Sequence, residues 1–241
     1  LLEQNCVISL SKMKTHALER ITGAVKNSYG FVYGFHKAKG HTQYPSADSF
    51  ARMLIDLDKC VAPKLYVMDG IVAMEGNGPG SGDPVQMNVM LMSTDPVALD
   101  SVFSRLVYLK PEMVPTNYHG EKMGLGTWKE EEITLLTPDG EISMAEAVKK
   151  YGNPAFNVDR TEVRKNIWTR MAGALNIFQK KPYIEADKCV RCGICVQSCP
   201  VPGKAVDFRK GKGKPPVYDY RKCIRCFCCQ EMCPKKAIKV K

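Results

Sequence analysis

The chain has 241 residues, of which 44% are hydrophobic and 25% charged, a composition typical of a globular protein. No stretch approaches the roughly 18 uninterrupted apolar residues of a membrane-spanning helix, so the sequence excludes such a span. The formal charge of +10 belongs to the C-terminal quarter, because residues 1–180 contain 20 basic and 20 acidic residues whereas residues 181–241 contain 15 and 5.

Cysteine content divides the chain at the same place as charge. Nine of the eleven cysteines lie at or beyond Cys189. We therefore expect an α/β domain over residues 1–180 and a small second domain over residues 181–241. The chain begins at Leu1 and enters a strand-like segment almost at once, so we expect that an N-terminal part of the first domain is missing.

Strand-like and helix-like segments alternate at the start of the chain. The apolar run over residues 7–10 predicts a strand, and the apolar spacing over residues 18–25 predicts a helix that ends near Asn27. A second helix is predicted over residues 46–57, followed by a strand over residues 64–68.

A glycine-rich loop and further helices follow. Residues 75–82 contain four glycines and predict a loop, and residues 85–92 predict a strand. Asp95 precedes a proline and is predicted to cap the next helix, while residues 143–152 begin with a capping box and end in glycine. A longer amphipathic helix is predicted around residues 163–175. Strands that alternate with helices predict an α/β fold with a mostly parallel sheet.

Charged side chains near the ends of the first two predicted strands form a candidate anion site. Lys14 and His16 follow the first strand, and Asp69 and Glu75 follow the next strand along the chain. Ligands of open α/β sheets bind beyond the carboxyl ends of the strands, so we expect these four side chains to face one crevice. The alternative is that residues 75–82 are a plain connecting loop without a ligand.

Two copies of one cysteine pattern, C-x2-C-x2-C-x3-C-P, lie 34 residues apart near the C-terminus. In this pattern three cysteines on a tight loop bind one cubane cluster, while the fourth reaches the other cluster. The pattern therefore predicts two [4Fe–4S] clusters. The expected ligands of the first cluster are Cys189, Cys192, Cys195 and Cys233. The expected ligands of the second cluster are Cys223, Cys226, Cys229 and Cys199.

Disulfide bonds and structural zinc suit these cysteines less well than iron–sulfur clusters do. Two matching groups with a trailing proline fit metal binding better than the disulfides of a secreted domain. Structural zinc uses paired C-x2-C units, but the third and fourth cysteines of each copy are superfluous for it. The second copy departs from the first by placing Phe227 where the first has Gly193, and by adding Cys228, which we expect to be a buried apolar residue.

The cysteine-rich segment, residues 182–241, resembles a two-cluster bacterial-type ferredoxin. Four further motifs together resemble the family known as domain of unknown function 362; they lie at residues 11–16, 23–30, 69–79 and 95–100. Members of that family often carry a C-terminal two-cluster ferredoxin module, so the resemblance implies the same two-domain architecture here. It leaves the substrate of the α/β domain open.

Tandem clusters predict an iron–sulfur protein that relays low-potential electrons to a partner protein. The excess of lysine and arginine suits an acidic partner of the ferredoxin or flavodoxin type. Nucleic acid is not expected as a partner, because the basic loop at residues 210–214 lacks interleaved aromatic side chains.

Two alternatives stay open. In one, the chain is an iron–sulfur oxidoreductase that reduces a small anionic substrate in the crevice, where His16 or a carboxylate supplies a proton. In the other, the clusters are structural staples or redox sensors of a binding module. In each case, reduced cysteines and oxygen-sensitive clusters predict a cytoplasmic, low-oxygen setting.

Overall fold

The structure is a computed structural model that describes residues 6–33, 37, 40–41, 43–162 and 180–240. It divides into two compact units, residues 1–159 and residues 160–241. The expected domain boundary at residue 180 stays a prediction, and the amphipathic helix expected around residues 163–175 lies outside the described residues.

A four-stranded sheet forms the centre of the first unit. Its strands are β1 (Ile8–His16), β2 (Arg20–Thr22), β3 (Leu65–Glu75) and β4 (Asp83–Ser93). They lie in the order β2-β1-β3-β4. β1 and β3 are parallel, whereas β2 and β4 each run antiparallel to their neighbour.

The predicted α/β class is confirmed, although the described sheet contains more antiparallel than parallel pairing. Two of its three strand pairs, β1–β2 and β3–β4, are joined by short connections, and a short connection returns the chain antiparallel. Only the β1–β3 pair is separated by a long crossover, which carries helical segments and permits parallel pairing.

Helices cover one face of this sheet. The helices are α1 (Ala24–Asn27), α2 (Ala47–Val61), α3 (Pro96–Leu106), α4 (Pro115–Lys122) and α5 (Met144–Tyr151). A small hairpin of β5 (Leu135–Thr137) and β6 (Gly140–Ile142) precedes α5. Helix α3 is buried along nearly its whole length, and its Val102 and Phe103 pack in one apolar core with Met68 of β3.

The helix predicted over residues 18–25 is wrong. The chain makes a tight turn after His16, forms the short strand β2 and only then enters α1, which ends at Asn27 as expected. The turn is stabilised by His16 Nδ1, which accepts hydrogen bonds from the backbone N–H groups of Leu18 and Glu19 at 3.1 and 3.0 Å. Arg20 completes the reversal in a left-handed conformation, φ 65°.

The predicted helix caps are confirmed. Asp95 caps α3 by accepting hydrogen bonds from the N–H groups of Val97 and Ala98 at 2.8 and 2.9 Å. Ser143 forms the capping box of α5, and that helix ends at Gly152.

The second unit is an internal duplication in structure as well as in sequence. Its elements are β7 (Pro182–Ile184), α6 (Ile194–Gln197), β8 (Val206–Asp207), β9 (Val217–Tyr218), α7 (Cys228–Glu231) and β10 (Ile238–Val240). β7 pairs with β10 and β8 pairs with β9, so each small sheet joins one strand from each copy. The pairing is equivalent in the two sheets, because Ile184 lies opposite Ile238 and Tyr218 lies opposite Val206.

Among the described residues, no helix is both long enough and apolar enough to cross a membrane.

Candidate functional site

The two cysteine loops have the same backbone path. Each passes through two left-handed residues, Arg191 and Gly193 in the first copy and Arg225 and Phe227 in the second. The carbonyl of Gly193 then accepts N–H hydrogen bonds that start α6, and the carbonyl of Phe227 does the same for α7. Phe227 adopts φ 60°, a conformation that favours glycine, so the loop geometry is kept even where the glycine is replaced.

The first loop and one residue of the second loop surround a cavity, here called the first cavity. Its cysteines are Cys189, Cys192, Cys195 and Cys233. Arg191 and Lys235 lie in its lining, together with aliphatic side chains. Cys192 is exposed, so this cavity reaches the surface.

The second loop and one cysteine of the first loop lie around another cavity, here called the second cavity. Its cysteines are Cys199, Cys223, Cys226 and Cys229. Three of them, Cys199, Cys226 and Cys229, are each only 7% exposed, so the second cavity is the more buried of the two. The structure thus brings together the two sets of four cysteines that the sequence pattern predicts.

Hydrogen bonds to cysteine sulfur repeat between the copies. The N–H of Ala205 donates to Cys199 Sγ at 3.3 Å, and the N–H of Ala237 donates to Cys233 Sγ at 3.3 Å. A third donor has no repeat: the hydroxyl of Tyr218 donates to Cys229 Sγ at 3.1 Å. Donors directed at sulfur stabilise the thiolate form, which is the form that binds metal.

Burial raises the pKa of several of these thiols. It raises the pKa of Cys195 to about 11, and it also raises the pKa values of Cys223 and Cys229. A metal that binds these thiolates must therefore displace protons, so loading is favoured by higher pH.

Cys228 is buried, as expected, and lies beside a ligand candidate. A side-chain hydrogen bond with Cys226 and burial raise the pKa of the Cys228 thiol, whereas the same hydrogen bond lowers the pKa of Cys226. The raised pKa favours the thiol form of Cys228.

The donor set fits a [4Fe–4S] cluster in each cavity. Each cavity presents four cysteine sulfurs on its walls, with backbone N–H donors to sulfur and an apolar lining between them. Each of the eleven cysteines, all within the described residues, is a free thiol. Among the described residues, no group of three His, Cys, Asp or Glu side chains is placed to hold one single metal ion.

The carboxylates of the predicted crevice already have protein partners. Asp69 Oδ2 lies 2.6 Å from Nζ of Lys12, and this hydrogen bond lowers the pKa of Asp69. Glu75 Oε2 accepts a hydrogen bond from the N–H of Asn157 at 2.7 Å. The expectation that Asp69 follows the end of a strand is wrong, because β3 continues to Glu75.

Lys14 and His16 both lie in β1 rather than at the start of a helix. His16 is only 4% exposed, and its Nδ1 is an acceptor in the turn that follows. Thr15, between them, holds the glycine-rich loop by donating to the carbonyl of Gly76 at 3.0 Å and accepting from the N–H of Gly78 at 3.2 Å. A ligand role for Lys14, His16, Asp69 and Glu75 stays a prediction.

Two contacts of these sites were missed from the sequence. Lys12 is the cation that pairs with Asp69, and Tyr218 is the donor to Cys229. The signal for Tyr218 was present, since superposing the two copies at their spacing of 34 residues places it opposite Ile184.

Comparison with known proteins finds two matched regions in the chain. Residues 1–105 match the family described as domain of unknown function (DUF362), and residues 181–234 match the 4Fe-4S dicluster domain. The chain carries a DUF362 domain and a 4Fe-4S dicluster domain. The dicluster match spans the eight cysteines of both copies, which confirms that the chain is an iron–sulfur protein with the predicted architecture.

One curated protein is similar to part of the chain. The thylakoid-associated protein sll1697 of Synechocystis sp. (strain ATCC 27184 / PCC 6803 / Kazusa) is 40% identical over 125 residues. The alignment covers 52% of this chain and 39% of that protein, so the matched part of this chain spans about two fifths of the relative's length. No solved structure matches the chain.

Proposed function

We propose that this DUF362 and dicluster chain relays electrons through two [4Fe–4S] clusters to a partner protein. The observation that carries the proposal is the pair of cavities, each lined by four cysteines drawn from both copies of the repeat. When bound, such clusters supply one-electron redox chemistry.

The protein's own residues support this role by placing two sites side by side. Helices α6 and α7, which begin inside the two cysteine loops, contact each other. Cys199 and Cys233 each end one loop and line the cavity of the other. The two sites therefore share their walls, an arrangement that suits passage of electrons between them and exceeds what a single structural staple requires.

Exposure and charge indicate where a partner docks. The first cavity reaches the surface at Cys192, and its lining includes Arg191 and Lys235. Residues 181–241, here called the dicluster segment, carry a formal charge of +10, and two clusters of about −2 each leave roughly +6. We propose that an acidic redox protein of the ferredoxin or flavodoxin type docks over the first cavity.

Charge reversal at the rim of the first cavity tests this function. The loaded protein is reduced anaerobically, mixed with an oxidised acidic flavodoxin, and followed by stopped-flow absorbance at several salt concentrations. We expect wild-type transfer to slow as salt rises, and the double variant Arg191→Glu, Lys235→Glu to transfer at least several-fold more slowly at low salt.

A matched control separates local docking from net charge. The double variant Lys212→Glu, Lys214→Glu makes the same change of charge at two residues that do not line the first cavity, and it is expected to transfer at close to the wild-type rate. Equal slowing in both double variants would contradict docking at the first cavity. A loaded wild-type protein that cannot be reduced and reoxidised would contradict the relay itself.

The reductase alternative stays a prediction. Asp69 and Glu75 bind Lys12 and Asn157, so the two carboxylates have separate protein partners. A cytoplasmic location also belongs to the proposal, and its support is that the ligand cysteines must stay reduced.

A further inference from the structure

The two cavities differ at a few equivalent positions. Ile184 lines the first cavity where Tyr218 lines the second, and Gly193 lines the first where Phe227 lines the second. The strand positions are strictly equivalent, because Ile184 pairs with Ile238 just as Tyr218 pairs with Val206. The exchange of isoleucine for tyrosine therefore changes one side chain on a repeated backbone.

Tyr218 uses its hydroxyl on a cluster ligand. The hydroxyl donates to Cys229 Sγ at 3.1 Å, a contact that an isoleucine side chain has no donor to make. The ring of Tyr218 stacks with the ring of Tyr220, whose centroid lies 5.6 Å away at an interplanar angle of 15°. The hydroxyl of Tyr220 is directed elsewhere, to the carbonyl of Pro182 at 2.9 Å.

In the second cavity, burial and the hydrogen bond from Tyr218 shift the reduction potential in opposite directions. Reduction adds negative charge, and a buried site solvates that charge poorly, which lowers the reduction potential. Cys199, Cys226 and Cys229 are each 7% exposed, so this penalty is larger in the second cavity than at the exposed Cys192. A hydrogen bond to sulfur is stronger in the more negative reduced state, and so it raises the potential.

We propose that Tyr218 sets the order of the two potentials: its hydrogen bond to Cys229 raises the reduction potential of the cluster in the second cavity and keeps that buried site reducible from the first. This inference rests on the proposed relay, and it names the residue that allows electrons to pass from the first cluster to the second. Tyr218 acts through Cys229, so it is a positioning residue.

The test is a redox titration of the loaded full chain, followed by electron paramagnetic resonance and fitted as two one-electron components. In Tyr218→Phe, we expect one midpoint potential to become more negative while the other is unchanged. At the wild-type midpoint of the shifted component, the ratio of reduced to oxidised cluster falls several-fold. Tyr220→Phe is the matched control, since it removes a neighbouring hydroxyl that does not contact sulfur, and both of its midpoints should equal those of wild type.

A reciprocal variant makes the test independent of how well Tyr218→Phe folds. Ile184→Tyr places a hydroxyl at the equivalent position of the first cavity, and we expect the other midpoint to become more positive. If Tyr218→Phe does not load, Ile184→Tyr decides alone, and an unchanged midpoint in that variant overturns the inference.

The outcomes separate this inference from the relay. If wild-type protein holds fewer than two reducible clusters, the proposed function fails. If it holds two, but Tyr218→Phe leaves both midpoints unchanged or moves both equally, the relay stands and the role of Tyr218 is refuted.

Discussion

Single carboxylates hold the backbone of the first unit at points where a glycine leaves room for them. Asp100 is buried in α3 and accepts hydrogen bonds from the N–H groups of Ala24 and Val25 at 2.6 and 3.2 Å, so it caps α1. A Cβ atom on Gly23 would lie 1.9 Å from Asp100 Oδ1. Both residues fall in motifs that carried the family resemblance, and their packing gives those motifs a structural reason.

Replacing Gly23 tests this packing. We expect Gly23→Ala to lower the free energy of unfolding by about 1–3 kcal/mol, because the new methyl group displaces the Asp100 carboxylate. Gly30→Ala is the control, since no atom lies within 4 Å of its added Cβ, and it should stay within about 0.5 kcal/mol of wild type. Denaturant unfolding measured by tryptophan fluorescence compares the two, and equal losses would contradict the contact with Asp100.

Burial also makes Asp100 a source of pH dependence. It raises the pKa of Asp100 from 3.8 to about 7, so the folded state keeps a proton that the unfolded state releases. Since the folded pKa lies above the unfolded one, this carboxyl's contribution to stability is full below pH 3.8 and is lost as pH rises to about 7. Over that interval the loss is on the order of 4 kcal/mol.

The variant Asp100→Asn should flatten this slope. We expect wild type to lose stability between pH 5 and pH 7.5 and Asp100→Asn to lose distinctly less, because the amide does not titrate. Asp56→Asn, at an exposed site on α2, should keep the wild-type slope. If Asp100→Asn kept the full slope, the pH dependence of stability would come from other buried carboxyl groups. Asp58 is one of these, since its pKa is also raised.

At the scale of elements, the two cysteine loops are interlocked by their last ligands. Cys233 follows α7 and lines the first cavity, and Cys199 follows α6 and lines the second. Each loop is therefore incomplete as a ligand set without the other. Assignment of a cysteine to a cavity can be tested by whether pairs of substitutions act on the same cluster.

The iron content of single and double cysteine variants tests which cysteine belongs to which cavity. Cys233→Ala is expected to lose one cluster, about half of the iron. Adding Cys192→Ala should cause no further loss, because both residues serve the first cavity, whereas adding Cys226→Ala should remove the rest. Cys228→Ala is the control and should keep all of its iron. A further loss with Cys192→Ala, or none with Cys226→Ala, would show that Cys233 ligates the second cluster.

The elements that the sequence predicted well are those with local signals. The caps at Asp95 and Ser143 depend on a side chain and its own backbone neighbours, and both are present. The helix predicted over residues 18–25 failed because the same apolar spacing is produced by a turn, a short strand and a single helical turn. Periodicity over a few residues does not distinguish these.

The candidate sites show the same contrast. The cysteine sets followed from spacing alone, because the pattern encodes which sulfur reaches which cluster. The contact between Tyr218 and Cys229 depends on pairing between β8 and β9, and the pairing of Asp69 with Lys12 depends on the register of β1 and β3. Long-range register of this kind is not written in any short stretch of sequence.

At the scale of the whole molecule, charge and chemistry are segregated along the chain. Residues 1–180 are electrically balanced, while the dicluster segment holds the net charge and the two cavities. The DUF362 segment contains buried carboxylates that serve its own packing, such as Asp100 of α3, which caps α1. The proposed electron relay therefore belongs to the C-terminal unit, and it depends on what the cysteines of that unit hold.

Metal analysis of the full chain, purified without oxygen, tests most directly whether the cysteines hold two [4Fe–4S] clusters. Two [4Fe–4S] clusters require about eight iron and about eight acid-labile sulfide per chain, with a brown colour that bleaches on reduction. We expect both values, and we expect Cys228→Ala to match wild type. A colourless protein, or one that holds zinc and no sulfide, would contradict the assignment of two clusters and the relay built on them.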